Sequence, residues 1–379
     1  MSGFERLRLT GDPYERGYEH GAQFASAVED NVEVYLDRFS YHGADRKTVR
    51  EQAEAFIPLI ESENPVYAEE MRGVADGSGV PLVDVTTINV RYEILYSAYA
   101  AEAEGAETPA TAGMDATAGT DGCTSFGILP ERTVDGHTYV GQNWDWIAQV
   151  EENLFLMEVH PEEGGASHLA MTEAGIVGGK IGVNEHGIGV GLNGLASPTD
   201  GEEPFRKPCH VRLRELLSAD RFDEALLAFT EGERACSANI VVGHADGEVI
   251  DLETAPETFG YVYPEDGILT HSNHFLTDAA ESLLERRGPS TLYRLRRLRR
   301  RLEAADEGTG LGVEDVQEAL CDHFAHPASV CKHSVDSLPP EEHGQTNASI
   351  VIDLNERRLI GTRGPPCEGE FESFELDAA

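Results

Sequence analysis

The chain has 379 residues, of which 40% are hydrophobic, and it carries 69 acidic against 29 basic side chains, a net charge of −40 at neutral pH. This balance is typical of a globular protein with an acidic surface, and it excludes nucleic acid and anionic membrane faces as partners, because both are polyanions. No apolar run approaches the ~20 residues of a spanning helix, and residues 1–8 lack the apolar stretch of a signal peptide, so we expect a cytoplasmic protein.

The basic residues are almost all arginine. Four of the 29 are lysine, namely Lys47, Lys180, Lys207 and Lys332. An excess of carboxylates with few lysines is typical of proteins that work in high salt, where ions screen the repulsion between surface charges. The composition therefore predicts a halophilic protein.

The first hundred residues have the spacing of apolar side chains that predicts helices. Residues 100–121 consist mainly of Ala, Glu, Thr and Gly, a composition typical of an exposed linker. We therefore predict a helical N-terminal segment over 1–122, ending in this linker, and a catalytic domain over 123–379. The helices are predicted at about residues 13–38, 45–60, 64–77 and 81–99.

After the linker, short apolar segments alternate with turns rich in glycine and asparagine, the pattern of antiparallel strands. Strands are predicted at about residues 139–146, 154–160, 168–173, 177–183, 188–193, 238–243, 249–254, 258–262, 348–354 and 358–361. Helices are predicted at about residues 204–218, 222–229, 283–303 and 313–323. Strands, then helices, then strands again indicate an α+β protein built in layers rather than a βαβ alternation.

One segment is densely basic. Its arginines are Arg294, Arg296, Arg297, Arg299, Arg300 and Arg301. Because the rest of the chain is strongly acidic, we interpret this run as a solvated helix face that pairs with acidic side chains, rather than as a binding patch.

Residues 189–194 match the dinucleotide-binding pattern G-x-G-x-x-G. That fingerprint must open a helix, whereas the residues that follow, 196–201, contain Pro198 and are typical of a loop. We therefore interpret the segment as a glycine-rich strand and turn. The sequence contains neither a P-loop nor the G-x-S-x-G motif of serine esterases.

Cysteine and histidine also cluster near the C-terminus, at Cys321, His323, His326, Cys331 and His333. The spacings match no familiar zinc module, and Pro327 separates the two halves of the cluster. We interpret these residues as a buried thiol with surface histidines, and predict no bound metal. A metal-dependent hydrolase that uses segment 321–333 remains an alternative.

The Gly122-Cys123 pair offers a nucleophile. If the Cys123 thiol attacks the Gly122 carbonyl, the amide becomes a thioester, water hydrolyses it, and Cys123 becomes a new N-terminus. Glycine helps because it has no Cβ to obstruct the bend. The free α-amino group can then accept the thiol proton, so nucleophile and base lie on one residue. A buried structural cysteine is the alternative interpretation.

Two downstream segments could complete this chemistry. Asp145 ends the Gly-Gln-Asn-Trp-Asp segment that follows one short hairpin after Cys123, so its carboxylate could hold the new α-amino group. Asn273 follows the apolar strand at 268–269, and an amide at a strand end is a good oxyanion donor. A turn-capping role for Asp145 and a turn role for Asn273 are the alternatives.

Together these segments resemble the acyl-coenzyme A:6-aminopenicillanic acid acyltransferase family, also called isopenicillin N acyltransferases, of the N-terminal-nucleophile hydrolase superfamily. The resemblance extends over nearly the whole chain. It rests on segments 13–21, 89–93, 121–124, 141–145, 172–176 and 272–274.

The resemblance implies a four-layer αββα sandwich with two antiparallel sheets. It also implies cleavage between Gly122 and Cys123, after which the two fragments remain associated. Cys123 would be the nucleophile, Asp145 a member of its network and Asn273 the oxyanion donor. Lys332 stands where the family has an arginine after Ser-x-Cys, which keeps the positive charge but loses the bidentate fork.

The implied reaction is acyl transfer from an amide or a thioester through an acyl-Cys123 intermediate. Water as the acceptor gives an amidase, and an amine gives an acyltransferase. The partner is a small-molecule amide or acyl donor, acyl-coenzyme A among them, and no cofactor is expected. The rival interpretations are an uncleaved binding module with a structural cysteine and the metal-dependent hydrolase described above.

The charge leads to a first testable prediction. Raising KCl from ~0.1 M to ~1 M shortens the Debye length from ~10 Å to ~3 Å, which weakens repulsion between surface carboxylates. We expect the melting temperature to rise steeply over this range, measured by circular dichroism. A melting temperature that does not depend on salt would remove the halophilic interpretation.

Overall fold

The computed structural model describes residues 3–103, 122–306 and 308–377. Most of the predicted linker over 100–121 lies outside this part of the chain, although residues 100–103 continue a helix. Within the described ranges the strands form one sheet of eight and one of six, in the orders β1-β4-β5-β6-β7-β8-β9-β10 and β11-β2-β3-β12-β13-β14. The strands are β1 Glu5–Leu9, β2 Thr124–Ile128, β3 Tyr139–Ile147, β4 Leu154–Val159, β5 His168–Glu173, β6 Ile181–Asn184, β7 Ile188–Gly194, β8 Ala238–His244, β9 Glu248–Thr254, β10 Phe259–Val262, β11 Ile268–His271, β12 Gly344–Asp353, β13 Arg358–Arg363 and β14 Glu372–Glu375.

The two sheets stack face to face, because β2 and β3 of the smaller sheet contact β7 and β8 of the larger one. The helices are α1 Pro13–Gln23, α2 Ala25–Tyr41, α3 Arg46–Glu63, α4 Pro65–Ser78, α5 Leu82–Asn89, α6 Arg91–Ala103, α7 Cys209–Leu217, α8 Phe222–Thr230, α9 Leu284–Arg287, α10 Thr291–Ala305 and α11 Val313–Leu320. Helices α7 and α8 cover the larger sheet, and α10 and α11 cover the smaller one. This order of layers confirms the predicted αββα sandwich.

A helical segment was predicted over residues 1–122, but this segment also contains a strand. Glu5–Leu9 forms β1, which pairs with β4 in parallel, so the larger sheet is not purely antiparallel. The strand is short and carries three charged residues, and its Arg6 forms an ion pair with Glu158 of β4. Because its stability comes from a partner far along the chain, local sequence pattern could not reveal it. The strand β14, at the edge of the smaller sheet, was missed because its four residues are mostly polar and exposed.

The first helix shows why its local sequence folds as it does. The Asp12 side chain accepts a hydrogen bond from the Glu15 amide, and the Glu15 carboxylate accepts one from the Asp12 amide, which completes a capping box before the helix. Helix α1 then packs closely on α4. A Cβ on Gly17 would stand 2.0 Å from the Glu70 carbonyl oxygen, and one on Gly73 would stand 2.2 Å from the Tyr14 carbonyl oxygen. Glycine is therefore required at this crossing.

Several predicted boundaries were wrong. The strand predicted over 177–183 is confined to β6, because Gly175 and Gly179 take positive φ angles of 90° and 74° and turn the chain. The single helices predicted over 13–38, 81–99 and 283–303 are each two helices, and the one predicted from residue 204 begins at Cys209. The remaining predicted elements are confirmed, with ends that differ by a few residues.

A buried ionic cluster joins the N-terminal helices to the larger sheet. Glu173, at the end of β5, accepts from Lys180 at 2.8 Å and from Arg91 of α6 at 2.9 Å. Its second oxygen accepts from the Tyr35 hydroxyl of α2 at 2.7 Å. Burial opposes ionisation of this carboxyl, but Lys180 and Arg91 outweigh it and lower the pKa of Glu173 to about 2. The Glu173 carboxylate is therefore the counter-ion of two buried cations, Arg91 on a helix and Lys180 beside the larger sheet.

Glu173→Gln is expected to lower the free energy of unfolding by about 3–5 kcal/mol, because it leaves Arg91 and Lys180 buried without a counter-charge. Urea denaturation at fixed salt measures the change. The matched control is Glu33→Gln, whose carboxylate is exposed and pairs with Arg46 on the surface; its expected effect is below ~1 kcal/mol. Equal losses in the two variants would contradict the prediction.

Candidate active site

Gly122 and Cys123 lie at the entrance to β2, in the smaller sheet between β11 and β3. Thr124 pairs with Asn143 of β3. Continuing this antiparallel register by two places sets Gly122 opposite Asp145. The Cys123 thiol belongs to the apolar core between the sheets, with 5% of the residue exposed, and its sulfur lies 3.7 Å from the Asp145 carbonyl oxygen. The structure therefore places the predicted nucleophile next to the backbone of Asp145.

Asp145 is held from the other side by β12. Thr346 lies opposite Asp145 in the register and donates its hydroxyl to one carboxylate oxygen, Oδ1, at 2.6 Å. A β-bulge follows at once, because Ala348 rather than Asn347 pairs with the next residue of β3. Gly122, which precedes β2, thus lies beside Asp145 of β3 and Thr346 of β12, and we call these three residues the catalytic row.

The other carboxylate oxygen of Asp145, Oδ2, accepts no hydrogen bond from any described residue. It points at Gly122, where a Cβ would stand 2.8 Å from it. Burial raises the pKa of Asp145 to about 7, against the opposing effects of Lys332, Arg294 and the Thr346 hydrogen bond. The carboxyl can therefore exchange a proton near neutral pH at the peptide bond predicted to break.

Lys332 joins this row through its backbone. Its amide donates to the Thr346 hydroxyl at 3.0 Å, and its carbonyl accepts from the Thr346 amide at 3.1 Å. Its side chain passes the same glycine, since a Cβ on Gly122 would stand 3.2 Å from the lysine Cδ. Gly122 is therefore enclosed by Asp145 and Lys332, and the absence of a side chain there is a packing requirement.

Asn273 follows β11 and is linked to Cys123 through an intermediary, Arg294 of α10. The Arg294 guanidinium donates to the Gly122 carbonyl, to the Cys123 carbonyl at 2.6 Å and to the Asn273 Oδ1 at 2.8 Å. The amide nitrogen of the Asn273 side chain donates to the Gly194 carbonyl at 3.0 Å. The Asn273 side chain is therefore fixed in orientation, and one guanidinium links it to both residues of the Gly122–Cys123 bond.

Arg294 is a site residue that the sequence did not reveal, because the basic run was interpreted as one solvated face. That interpretation is wrong for Arg294, which is 1% exposed. It holds for others in the run, since Arg297, Arg299 and Arg301 each pair with a carboxylate. Helical periodicity would have predicted the burial of Arg294, because this residue shares one face of α10 with the apolar side chains. The buried residues of that face are Thr291, Arg294, Leu295, Leu298 and Leu302.

The remaining motifs fall elsewhere. Residues 189–194 lie within β7 and open no helix, which confirms that they are not a dinucleotide fingerprint. His323, Cys331 and His333 come together despite Pro327, and Cys367 joins them from a later segment. The expectation that Pro327 separates the two halves is therefore wrong. Among the described residues, none of the helices combines the length and the apolar character needed to cross a membrane.

A family model matches the part of the chain that contains most of this site. The model of the family "Acyl-coenzyme A:6-aminopenicillanic acid acyl-transferase" matches residues 132–361, more than half of the chain. This chain belongs to that family. The matched span includes Asp145, Asn273 and Lys332 and begins shortly after Cys123. Membership makes the protein an enzyme of the acyltransferase class.

Two relatives cover nearly all of the chain. The acyl-coenzyme A:6-aminopenicillanic-acid-acyltransferase 40 kDa form of Emericella nidulans is 29% identical over 364 residues, which span 94% of this chain and 91% of the relative. An uncharacterized protein of Archaeoglobus fulgidus is 23% identical over 398 residues, which span 94% of this chain and 63% of the relative.

Solved structures also resemble the fold. A mutant form of the conjugated bile acid hydrolase of Clostridium perfringens is 15% identical, with a TM-score of 0.49, over 66% of this chain and 92% of that one. The N-acylethanolamine-hydrolyzing acid amidase ortholog of Caenorhabditis elegans is 14% identical, with a TM-score of 0.47, over 62% of this chain and 93% of that one.

The raised pKa of Asp145 predicts a pH dependence of stability. Between about pH 4 and pH 7 the native state binds a proton at Asp145 that the unfolded chain has released, so this group's contribution to stability falls as the pH rises. Asp145→Asn does not titrate and should lose less stability over that window, by at most about 1.4 kcal/mol per pH unit.

The comparison is made by urea denaturation of two proteins that both carry Cys123→Ala, so that cleavage cannot differ between them. A gap between the two unfolding free energies that stays constant from about pH 4 to pH 8 would show that Asp145 titrates as an ordinary carboxyl.

Proposed function

We propose that the protein is a self-processing N-terminal cysteine amidohydrolase or acyltransferase, which cuts its own Gly122–Cys123 bond and then works through an acyl-Cys123 intermediate. The observation that carries this proposal is the pair of hydrogen bonds from Arg294 to the carbonyl oxygens of Gly122 and Cys123. A buried cation bound to the carbonyl of a peptide bond stabilises the negative charge that develops there when a nucleophile attacks.

The cleavage step uses groups already in place. The Cys123 sulfur attacks the Gly122 carbonyl carbon, and the oxyanion forms on the oxygen that Arg294 holds. The carbon–nitrogen bond then breaks, the thiol proton passes to the departing Cys123 nitrogen, and a thioester and a free α-amine result. Water hydrolyses the thioester, which yields the Gly122 carboxylate and restores the thiol. The net reaction consumes one water.

Cleavage gives Asp145 a partner. The unbonded Oδ2 faces the position of Gly122, beside the nitrogen that becomes the new α-amino group. A protonated α-amine there would form a charge-assisted hydrogen bond with the carboxylate. Asp145 would thus orient the amine that serves as base for the Cys123 thiol, while Lys332 and Arg294 favour the ionised carboxylate.

In the catalytic cycle the Cys123 thiol transfers its proton to the α-amine and attacks the carbonyl of the donor. The donor's amine or thiol leaves with that proton, and the acyl group stays on sulfur. Water or an amine then takes the acyl group. Asn273 would stabilise the oxyanion during both acylation and deacylation of Cys123. Arg294 and the Gly194 carbonyl fix the orientation of its side-chain amide and leave one N–H to donate.

The substrate is a small amide or thioester, and acyl-coenzyme A fits the thioester class that the family name describes. Lys332 supplies positive charge beside the catalytic row, where the family has an arginine. A substrate carboxylate would therefore be recognised by charge rather than by the two parallel hydrogen bonds of a guanidinium. The fragments should stay associated after cleavage, because β1 pairs with β4 and Arg91 pairs with Glu173 across the cut.

The test is the cleavage itself. The purified 41.3 kDa chain should yield fragments of about 13 and 28 kDa without a protease. The larger fragment should begin Cys-Thr-Ser-Phe-Gly by Edman sequencing. The rate should be first order and independent of protein concentration, because nucleophile and target lie in one chain.

Cys123→Ala should remain one chain and be inactive. Its matched control is Cys209→Ala, another buried thiol, which should cleave normally. Arg294→Met should slow cleavage by ~10²-fold or more, since the oxyanion loses its charged donor. An active wild-type protein that remains a single chain would overturn the self-processing mechanism, whereas an uncut chain without activity would favour the uncleaved binding module.

A further inference from the structure

Four side chains with metal-binding atoms meet beside the catalytic row. They are His323, Cys331, His333 and Cys367, and the nitrogen or sulfur atoms they offer all lie within 4.8 Å of one another. His323 follows α11, Cys331 and His333 flank Lys332, and Cys367 follows β13. Separate parts of the chain thus converge on one point.

Four of the six distances between the ligand atoms are close to those of a tetrahedron around a zinc ion. Zinc bonds of ~2.3 Å to sulfur and ~2.0–2.1 Å to nitrogen set the ligands apart by about 3.8 Å for S–S, 3.6 Å for S–N and 3.3 Å for N–N. The sulfurs of Cys331 and Cys367 are 3.6 Å apart. The His333 Nε2 lies 3.5 Å and 3.4 Å from them.

His323 provides the fourth ligand. The Nε2 atoms of His323 and His333 are 3.1 Å apart, and the two remaining pairs, His323 to each sulfur, lie within 4.8 Å. The measured separations therefore decrease in the order S–S, S–N, N–N that the bond lengths require. A disulfide would instead bring the sulfurs to ~2.05 Å. We propose that these four residues bind one Zn²⁺.

The surroundings fit a metal ligand. The other ring nitrogen of His333, Nδ1, lies 3.3 Å from a carboxylate oxygen of Glu368. Metal-bound histidines commonly present their second nitrogen to a carboxylate, which fixes the tautomer that leaves Nε2 free for the metal. Two thiolates with two imidazoles select zinc rather than calcium or magnesium, which prefer oxygen.

The site is structural rather than catalytic, since four protein ligands leave no position for water or substrate. The position of two ligands next to Lys332 indicates what the zinc site would stabilise. Cys331 and His333 are the neighbours of Lys332, whose backbone holds Thr346 and so Asp145. Zinc would fix this segment against the one that carries Cys367. The metal-dependent hydrolase considered at the start is therefore not what these residues offer.

The experiment uses the full chain, purified with a reductant, stripped with a chelator and dialysed after addition of Zn²⁺. We expect about one zinc per chain by elemental analysis. Loading with Co²⁺ instead should give the visible bands of a tetrahedral site and a thiolate charge-transfer band. Cys367→Ser should bind Zn²⁺ at least ~10-fold more weakly. After the same dialysis it should retain less zinc, and its Co²⁺ form should show weaker tetrahedral and charge-transfer bands.

Two neighbours serve as matched controls. Cys321→Ser and His326→Gln alter the same segment outside the four ligands and should keep a full complement of zinc. Cys367→His restores a ligand and should recover the metal, which separates lost coordination from misfolding. Cys123→Ala should also bind zinc normally, so the outcome does not depend on self-cleavage.

Three results would each overturn the proposal. One is wild-type protein that retains less than about a fifth of an equivalent of zinc. Another is Cys367→Ser that retains as much metal as the wild type. The third is a Cys331–Cys367 disulfide, detected by mass spectrometry under non-reducing conditions, that persists in protein prepared with zinc.

Discussion

The candidate site depends on a cation buried in an otherwise anionic protein. Arg294 loses its hydration inside the helix layer, and the guanidinium is compensated by carbonyl and amide oxygens from the start of β2 and from Asn273. Because those acceptors are mostly backbone, the arginine fixes the path of the chain at Gly122 and Cys123 rather than the position of one side chain. Helix α10, strand β2 and the end of β11 are thereby brought to one point.

The same use of buried charge recurs between the N-terminal helices and the larger sheet. Glu173 there takes the role of shared counter-ion, with cations from two layers of the sandwich. At these two sites, buried charge lies where layers of the sandwich meet. In a chain of net charge −40, the buried ions at both sites are paired or hydrogen-bonded, which offsets the cost of removing them from water.

Much of the fold and part of the site could be predicted from sequence, and the limits have physical causes. Alternating apolar residues and glycine turns located most strands, and the short hairpin after Cys123 placed Asp145 beside it. The strand β1 was missed because its partner is distant in sequence. Arg294 was missed because composition was averaged over a run whose helical period separates one buried member from exposed neighbours. Cys367 was missed because only tertiary folding brings it to His333.

The bulge at Asn347 gives β12 two registers against β3, one for residues 344–346 and another for residues 348–353. The second half belongs to the apolar core, whereas the first presents Thr346 to Asp145. The extra residue acts as a joint between them. A bulge re-aims the side chains that flank it. One continuous strand can therefore pack its inner half into the hydrophobic interior and still direct the Thr346 hydroxyl at the carboxylate.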